Sequence, residues 1–300
     1  MNRATIDIGS NSILLLVVDE VGAILCDAVR VVGLSRGVGD RGLMNRQRMD
    51  HGLDVLTEYV QIAASFGVPA RLIKAVATSG ARRALNAAAF FDRVQKRTGL
   101  RVRIVTGDEE AWLTWAGARS DLRLPDGTVA VLDPGGGSTE IVLGEGERIL
   151  LQQSVELGAV RLTEAFFDPQ PARYRPPQLA RLREHIQQVL ATVDWPTYPR
   201  TLIGVAGTVT TLSAMQRGLT EWDRDVVHGS RLTRGFLRRQ IDRLLTSTPE
   251  ERREWCAIAP ERADHLLAGA CLIEELCTVS RKDSLIVSDG GVRFGLLHEI

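Results

Sequence analysis

Two short stretches of this chain set a carboxylate beside a small, hydroxyl-bearing turn. In residues 133–140 the order is Asp133, Pro134, Gly135, Gly136, Gly137, Ser138, Thr139, Glu140, and near the N-terminus Asp7, Ile8, Gly9, Ser10, Asn11 and Ser12 follow the same plan. Glycine carries no Cβ, so its backbone N–H can approach an anion closely, and Ser and Thr add hydroxyl donors to the same concavity. A carboxylate next to such a turn repels the anion unless a cation lies between them, which calls for Mg²⁺ or a similar hard metal. Neither stretch is a Walker phosphate loop, because no Lys follows the glycines. Taken alone, Gly-Gly-Gly-Ser between strands reads equally as a plain turn.

A third acidic cluster, Asp108, Glu109 and Glu110, follows the apolar run 102–105. Acidic residues complement the dipole of a first helical turn, so plain capping with Asp108 as N-cap and a general base both stay open. A helix N-terminus favours the ionised carboxylate, the form that a base must have. Thr78, Ser79, Gly80, Ala81, Arg82 and Arg83 lie at the carboxyl end of the strand expected over 72–77, where open α/β sheets place ligands. Gly207 and Thr208 open a helix after the strand 201–205, and such an N-terminus can hold a phosphate or nucleotide.

The elements that position these residues follow from periodicity. Apolar runs flank both Asp-bearing turns, so each is a hairpin, and the repeated plan predicts a duplicated α/β fold of two related halves whose hairpins face each other across a cleft. Helical spacing of Met49, Leu53, Leu56, Val60 and Ala63 predicts a helix over 45–66 that stops at Gly67. Asn86 is placed to cap the next helix, 168–177 reads as a proline-rich loop, 248–251 as a capping box, and 261–280 as one long helix. Arg36 and Arg41 lie in the glycine-rich connection 33–42. The turn 124–127 sets the boundary between domains at 1–126 and 127–291, with a terminal helix over 292–300 expected to return to the first.

Composition narrows the classes. The 300 residues are 44% hydrophobic, enough for two cores. Lys plus Arg and Asp plus Glu both number 37, which argues against bulk binding of nucleic acid or an anionic membrane and leaves any anion site local. The cysteines, Cys26, Cys256, Cys271 and Cys277, have no Cys-x-x-Cys spacing and read as small core residues in a reducing cytoplasm. No run is long enough to span a membrane, and the first residues lack the regions of a signal peptide.

Together, Asp7 to Ser12, Ala77-Thr78-Ser79 through Arg82 to Asn86, Gly107 through Glu110-Ala111, Asp133 to Glu140, Gly207-Thr208 and Ser288-Asp289-Gly290-Gly291-Val292-Arg293 resemble the exopolyphosphatase and guanosine pentaphosphate phosphohydrolase family, in order and nearly end to end. The resemblance implies two duplicated actin-like (ribonuclease H-like) domains with the active site in the cleft between them. It implies that Glu110 is the catalytic glutamate, that Asp7 and Asp133 hold Mg²⁺ with Glu140 positioning metal or water, and that Gly9, Ser10, Asn11, Ser12, Gly135, Gly136, Gly137, Ser138 and Thr139 cradle phosphates. Ser79, Arg82, Gly207, Thr208 and Arg262 match further phosphate-facing positions. Pro134 departs from the family's usual Ile; it removes one N–H and fixes φ, so a stiffer loop is expected.

The implied reaction is Mg²⁺-dependent hydrolysis of the terminal phosphoanhydride of inorganic polyphosphate. Guanosine pentaphosphate 5′-phosphohydrolysis and a non-catalytic polyphosphate or nucleotide sensor are the alternatives, and a homodimer is the expected assembly. Longer relatives add a helical region with a His-Asp constellation, whereas this sequence ends at Ile300, so the expectation is that the cleft alone holds the polymer and releases long chains between cleavages.

Overall fold

Ala4, Ile6 and Ile8 on one face of the first strand and Thr5 on the other are all buried, as suits a strand at the centre of a sheet. The computed structural model describes residues 1–36, 38, 42–146, 148–167, 173–256 and 259–299. It divides into one unit of residues 1–117 with 292–300 and another of residues 118–291. Arg41 and residues 168–172 of the expected proline-rich loop lie outside the described residues.

In the first unit, β1 (Arg3–Ile8) pairs antiparallel with β2 (Ser12–Val18), from Arg3 opposite Val18 to Ile8 opposite Ile13, and β2 continues into β3 (Ile24–Val31). Helix α1 (Arg46–Ser65) starts where the Asn45 side chain accepts from the Gln47 and Arg48 N–H groups, and ends before Gly67, whose φ of +80° suits glycine. Its inward stripe is Leu53, Leu56, Tyr59 and Ala63; Met49 and Val60 are only half-buried. There follow β4 (Lys74–Ala77), α2 (Ser79–Arg83), α3 (Ala87–Thr98), β5 (Val102–Ile104) and α4 (Gly107–Arg119). Strands β4 and β5 are parallel to β1, and the sheet order is β3-β2-β1-β4-β5.

Two caps differ from the sequence expectation. Asn86 precedes α3, but its side chain accepts from the Met44 N–H and donates to the Met44 carbonyl, so it ties down the chain ahead of α1 and makes no cap bond. At α4 the cap is Thr106, not Asp108: the Thr106 hydroxyl accepts from the Glu109 N–H at 3.1 Å and the Glu109 carboxylate accepts from the Thr106 N–H at 2.8 Å. That reciprocal Thr-x-x-Glu pair satisfies two donors at once, which a lone Asp108 cannot do.

The second unit repeats the plan. Strands β6 (Val129–Pro134), β7 (Thr139–Glu145) and β8 (Arg148–Val155) form an antiparallel meander, followed by α5 (Ala159–Phe166) and α6 (Pro176–Leu190). Pro176 begins α6 because its fixed φ suits the first helical position, so the preceding loop ends at Arg175, two residues sooner than expected. Strand β9 (Thr201–Gly204) runs parallel to β6 and leads into α7 (Ala206–Gln216). Next come α8 (Arg224–Val227), β10 (Arg231–Thr233), α9 (Arg234–Thr246) and α10 (Pro249–Trp255), whose Thr248–Glu251 capping box is present. The helix expected over 261–280 is instead a 3₁₀ turn, Pro260–His265, and then α11 (Leu266–Val279). The polar residues 261–265 lack the apolar stripe that holds α11, in which Leu266 to Leu276 are buried.

Glu274 and Glu275 on α11 are buried but answered. Glu274 accepts from Arg183 of α6 and from Arg234 and Arg238 of α9, and Glu275 accepts from Arg183 and Gln187. Burial opposes the ionised form of Glu274, yet the arginine hydrogen bonds prevail and hold its carboxyl below the usual range. Strand β11 (Ser284–Val287) completes a sheet ordered β10-β11-β9-β6-β7-β8. Apart from its edge strand β10, that order matches β3-β2-β1-β4-β5 read in reverse, with the same parallel and antiparallel relations: two copies of one α/β topology.

The chain then returns to the first unit. Helix α12 (Val292–Gly295) is a single turn, shorter than the terminal helix expected. The Thr5 hydroxyl donates to the Arg293 carbonyl at 2.7 Å, and the Arg293 guanidinium donates twice to Asp27. A Cβ on Gly295 would stand 1.9 Å from the Leu113 carbonyl oxygen, so only glycine admits this approach to α4.

Candidate active site

In the first unit, β1 stops at Ile8 and β2 starts at Ser12, leaving Gly9, Ser10 and Asn11 as the turn beyond Asp7. The Gly9 N–H closes it on the Ser12 carbonyl at 2.9 Å. From outside, the Val32 and Gly33 N–H groups donate to the Asn11 carbonyl and the Ser35 N–H donates to the Ser10 carbonyl. With its carbonyls occupied, the turn is held rigidly, while among the described residues the Ser10 and Asn11 N–H groups donate to no backbone acceptor.

The strand–helix junction β4–α2 supplies the rest. Arg82 Nη1 donates to Glu110 at 2.6 Å and to the Val105 carbonyl at 3.0 Å, bringing together the two residues expected to act as phosphate ligand and base. The Thr78 side chain and the Ser79 N–H face the Glu110 carboxylate and favour its ionised form. Glu110 is 6% exposed, and burial pushes its carboxyl above the ordinary value of 4.5 despite the Arg82 cation and these hydrogen bonds. The sequence expectation that the helix terminus favours the ionised form is therefore reversed: desolvation outweighs every stabilising contact. A raised pKa makes Glu110 a stronger base once it is ionised.

In the second unit the Gly135 N–H closes the turn on the Ser138 carbonyl at 2.9 Å, the same bond at the same position as in the first. Its carbonyls are capped by a helix: the Ala159 N–H donates to Gly135, and the Val160 and Arg161 N–H groups donate to Gly136. Among the described residues the Gly136, Gly137 and Ser138 N–H groups donate to no backbone acceptor. The side chains are already engaged. The Ser138 hydroxyl donates to Glu140 at 2.9 Å, and the Thr139 hydroxyl, wholly buried, donates to the Leu157 carbonyl at 2.6 Å. A hydroxyl has one proton to give, so neither donates to a phosphate in this arrangement, contrary to what the sequence suggested.

Glu140 is 1% exposed, lies opposite Asp133 in the β6–β7 register, and accepts from Ser154 of β8 at 2.8 Å as well as from Ser138. Carboxylates directly opposite on neighbouring strands repel, so a cation at the mouth of this hairpin suits the donor set. Among the described residues no group of three or more His, Cys, Asp and Glu side chains is placed to hold a metal.

Elsewhere in this unit, Ala206 has a φ of +72° at the entrance to α7. Next to it the half-buried Arg262 guanidinium donates to the Gly207 carbonyl at 2.8 Å and to the Thr211 hydroxyl at 3.1 Å, and desolvation lowers its pKa. Arg262 thus grips the α7 turn. Thr208 packs its methyl against Gly269 of α11, where an added Cβ would come within 2.4 Å. Ser154, which sequence reasoning did not single out, donates to Glu140; its one signal is a hydroxyl on the strand beside a quoted motif.

The model of the family described as the Ppx/GppA phosphatase family matches residues 17–300. Exopolyphosphatase 2 of Mycobacterium tuberculosis is 35% identical over 312 aligned residues, covering 98% of this chain and 96% of that protein. A Ppx-GppA enzyme structure from Aquifex aeolicus aligns with a TM-score of 0.82 at 34% identity, over 99% of this chain and 98% of the other. A guanosine-5′-triphosphate,3′-diphosphate pyrophosphatase of Aeromonas salmonicida is 27% identical over 98% of this chain and 58% of its own length.

Proposed function

This chain belongs to the Ppx/GppA phosphatase family, and from that membership we propose that it hydrolyses the terminal phosphoanhydride of inorganic polyphosphate and releases phosphate. The observation that carries the reading is Glu110, buried and held by Arg82 at the start of α4. The 2.6 Å bond from Arg82 orients its carboxylate, and its raised pKa equips it to take a proton from water. That water attacks the terminal phosphorus in line as the P–O–P bond breaks, and the leaving phosphate chain carries away the bond's electron pair. The N–H groups of Ser10 and Asn11 in one turn, and of Gly136, Gly137 and Ser138 in the other, donate to phosphate oxygens as their charge spreads. Asp7, Asp133 and Glu140 would hold Mg²⁺, which supplies charge neutralisation on the phosphate oxygens when bound.

The relative that acts on a guanosine nucleotide supports a second reading, removal of the 5′-terminal phosphate of guanosine pentaphosphate. It needs the same chemistry and a base pocket, for which the turn at Gly207 and Thr208 is suited. Cytoplasmic location and a homodimer belong to the same proposal. No helix among the described residues is long and apolar enough to cross a membrane.

The test offers polyphosphate, guanosine pentaphosphate and ATP in parallel, with and without Mg²⁺, and measures phosphate release. Release from polyphosphate at the highest kcat/KM is expected. Faster release from guanosine pentaphosphate would favour the second reading, and binding of all three with no release would leave a sensor.

A further inference from the structure

The connection after β3 carries a serine that no motif marked. The Ser35 N–H donates to the Ser10 carbonyl and its own carbonyl accepts from Val38, so its backbone is fixed against the first turn. The residue is 7% exposed, and among the described residues Ser35 Oγ has no hydrogen-bond partner. The same is true of Ser79 Oγ in a residue 3% exposed. A buried hydroxyl left unanswered costs about 1–3 kcal/mol, so two on neighbouring segments require an explanation.

Gly80 shows how closely these groups converge. A Cβ built on it would stand 2.1 Å from Ser35 Oγ and 3.1 Å from Ser10 Oγ. Gly80 follows Ser79, whose backbone N–H faces the Glu110 carboxylate. Two hydroxyls, from the β1–β2 turn and the β3–α1 connection, therefore meet at one glycine, and that glycine adjoins Ser79 at the start of α2.

We propose that Ser35 is a further phosphate-binding residue, and that Ser10, Ser35 and Ser79 form a hydroxyl pocket for a phosphoryl group beside Glu110. This rests on the phosphoanhydride reading of the same site. A hydroxyl rotor can turn its proton to whichever phosphoryl oxygen arrives, which suits a group whose geometry changes during transfer. It also explains how a phosphoryl group is held when the Arg82 guanidinium is engaged with Glu110 and Val105. Neutral donors hold product phosphate less tightly than a second cation would, so release is not slowed.

Ser35→Ala separates this role from a structural one. If the hydroxyl serves only a ligand, its removal keeps or raises Tm while KM for tripolyphosphate and the inhibition constant of inorganic phosphate both rise about tenfold, roughly 1.4 kcal/mol of lost binding. Gly80→Ala, which drives a methyl into the pocket, should raise the same two constants at a cost in Tm. Unchanged constants in Ser35→Ala would overturn the proposal, as would a fall in Tm that accompanies weaker binding, since that would show a hydroxyl bonded within the protein or to a structural water. Calorimetry with inorganic phosphate keeps the two readings apart. A wild-type protein that binds phosphate through Ser35 but splits no anhydride would sink the catalytic reading and leave this pocket standing.

Discussion

The two Asp-bearing turns share a backbone and differ in what their side chains are doing. In each, the first glycine closes on the serine three residues later, at 2.9 Å in both. The first turn, with Ser10 and Asn11 at its tip, leaves Asn11 Oδ1 and the adjoining Ser35 and Ser79 hydroxyls buried without a partner among the described residues. The second turn has glycines at the same positions and engages its hydroxyls internally, with Glu140 and Leu157. The chain before α5 presses on it so closely that Gly158 must be glycine: a Cβ there would fall 2.4 Å from the Gly136 carbonyl and the Gly137 nitrogen. The duplicated fold has thus kept one turn backbone and varied what surrounds it. On the proposed function the first copy would supply side-chain donors and the base Glu110, and the second bare amides and the opposed carboxylates Asp133 and Glu140.

That division predicts where chemistry fails outright. Glu110→Gln should keep the fold, because the amide still accepts from Arg82, yet lower kcat by at least about 100-fold, the usual worth of a positioned general base. The check is kcat on polyphosphate together with a thermal melt. Near wild-type turnover would remove the base from the first copy and reduce α4 to a capped helix.

The carboxylates are expected to matter unequally. Asp7 faces Leu14 across its hairpin, whereas Asp133 faces Glu140. Asp7→Asn therefore removes the one carboxylate that its strand pair offers, and should raise the Mg²⁺ concentration for half-maximal rate by about tenfold, ~1.4 kcal/mol. Asp133→Asn leaves Glu140 in place and should raise it less. Equal shifts would break the comparison, and an unchanged requirement in both variants would contradict the metal assignment. A double variant that adds the two shifts would show separate actions, while a non-additive one would show a shared ion.

The hairpins themselves were legible in the sequence, because strand, Asp, glycine and hydroxyl are all local signals. So was the presence of α4, though not its cap, which is Thr106 and not Asp108. The state of Glu110 was not: its pKa is set by burial against Thr78, Ser79 and Arg82, which adjacency in the chain does not reveal. The same limit hid Ser35, which lies 25 residues past Ser10 and becomes informative only when Gly80 is seen between them. Thr139 failed in the opposite sense, since a hydroxyl in a phosphate-like motif turned out to hold the sheet to Leu157.

Arg82 gives a smaller, signed effect. It lowers the Glu110 pKa against the larger upward push of burial. Arg82→Gln should therefore raise that pKa further. Because the base works when deprotonated, kcat/KM rises with pH through the Glu110 pKa, and the acid limb should move to higher pH in the variant. A limb that stays in place would show that a different group controls it.

The smallest effect on activity is expected at Thr139, where the two copies differ most in their use of a hydroxyl. Its side chain is wholly buried and its proton lies on the Leu157 carbonyl at 2.6 Å, so Thr139→Val keeps the shape, removes that bond, and strands a buried carbonyl. Stability should fall by about 1–3 kcal/mol. Turnover and KM should stay within about twofold, since phosphate meets the amides of this turn and not its hydroxyls, a difference below ~0.5 kcal/mol. Ser35→Ala is the mirror case, with weaker binding and no loss of stability. If Thr139→Val instead weakened polyphosphate binding as strongly as Ser35→Ala at unchanged Tm, the second turn would be using its hydroxyls on substrate, and the bond to Leu157 would have to break when phosphate arrives.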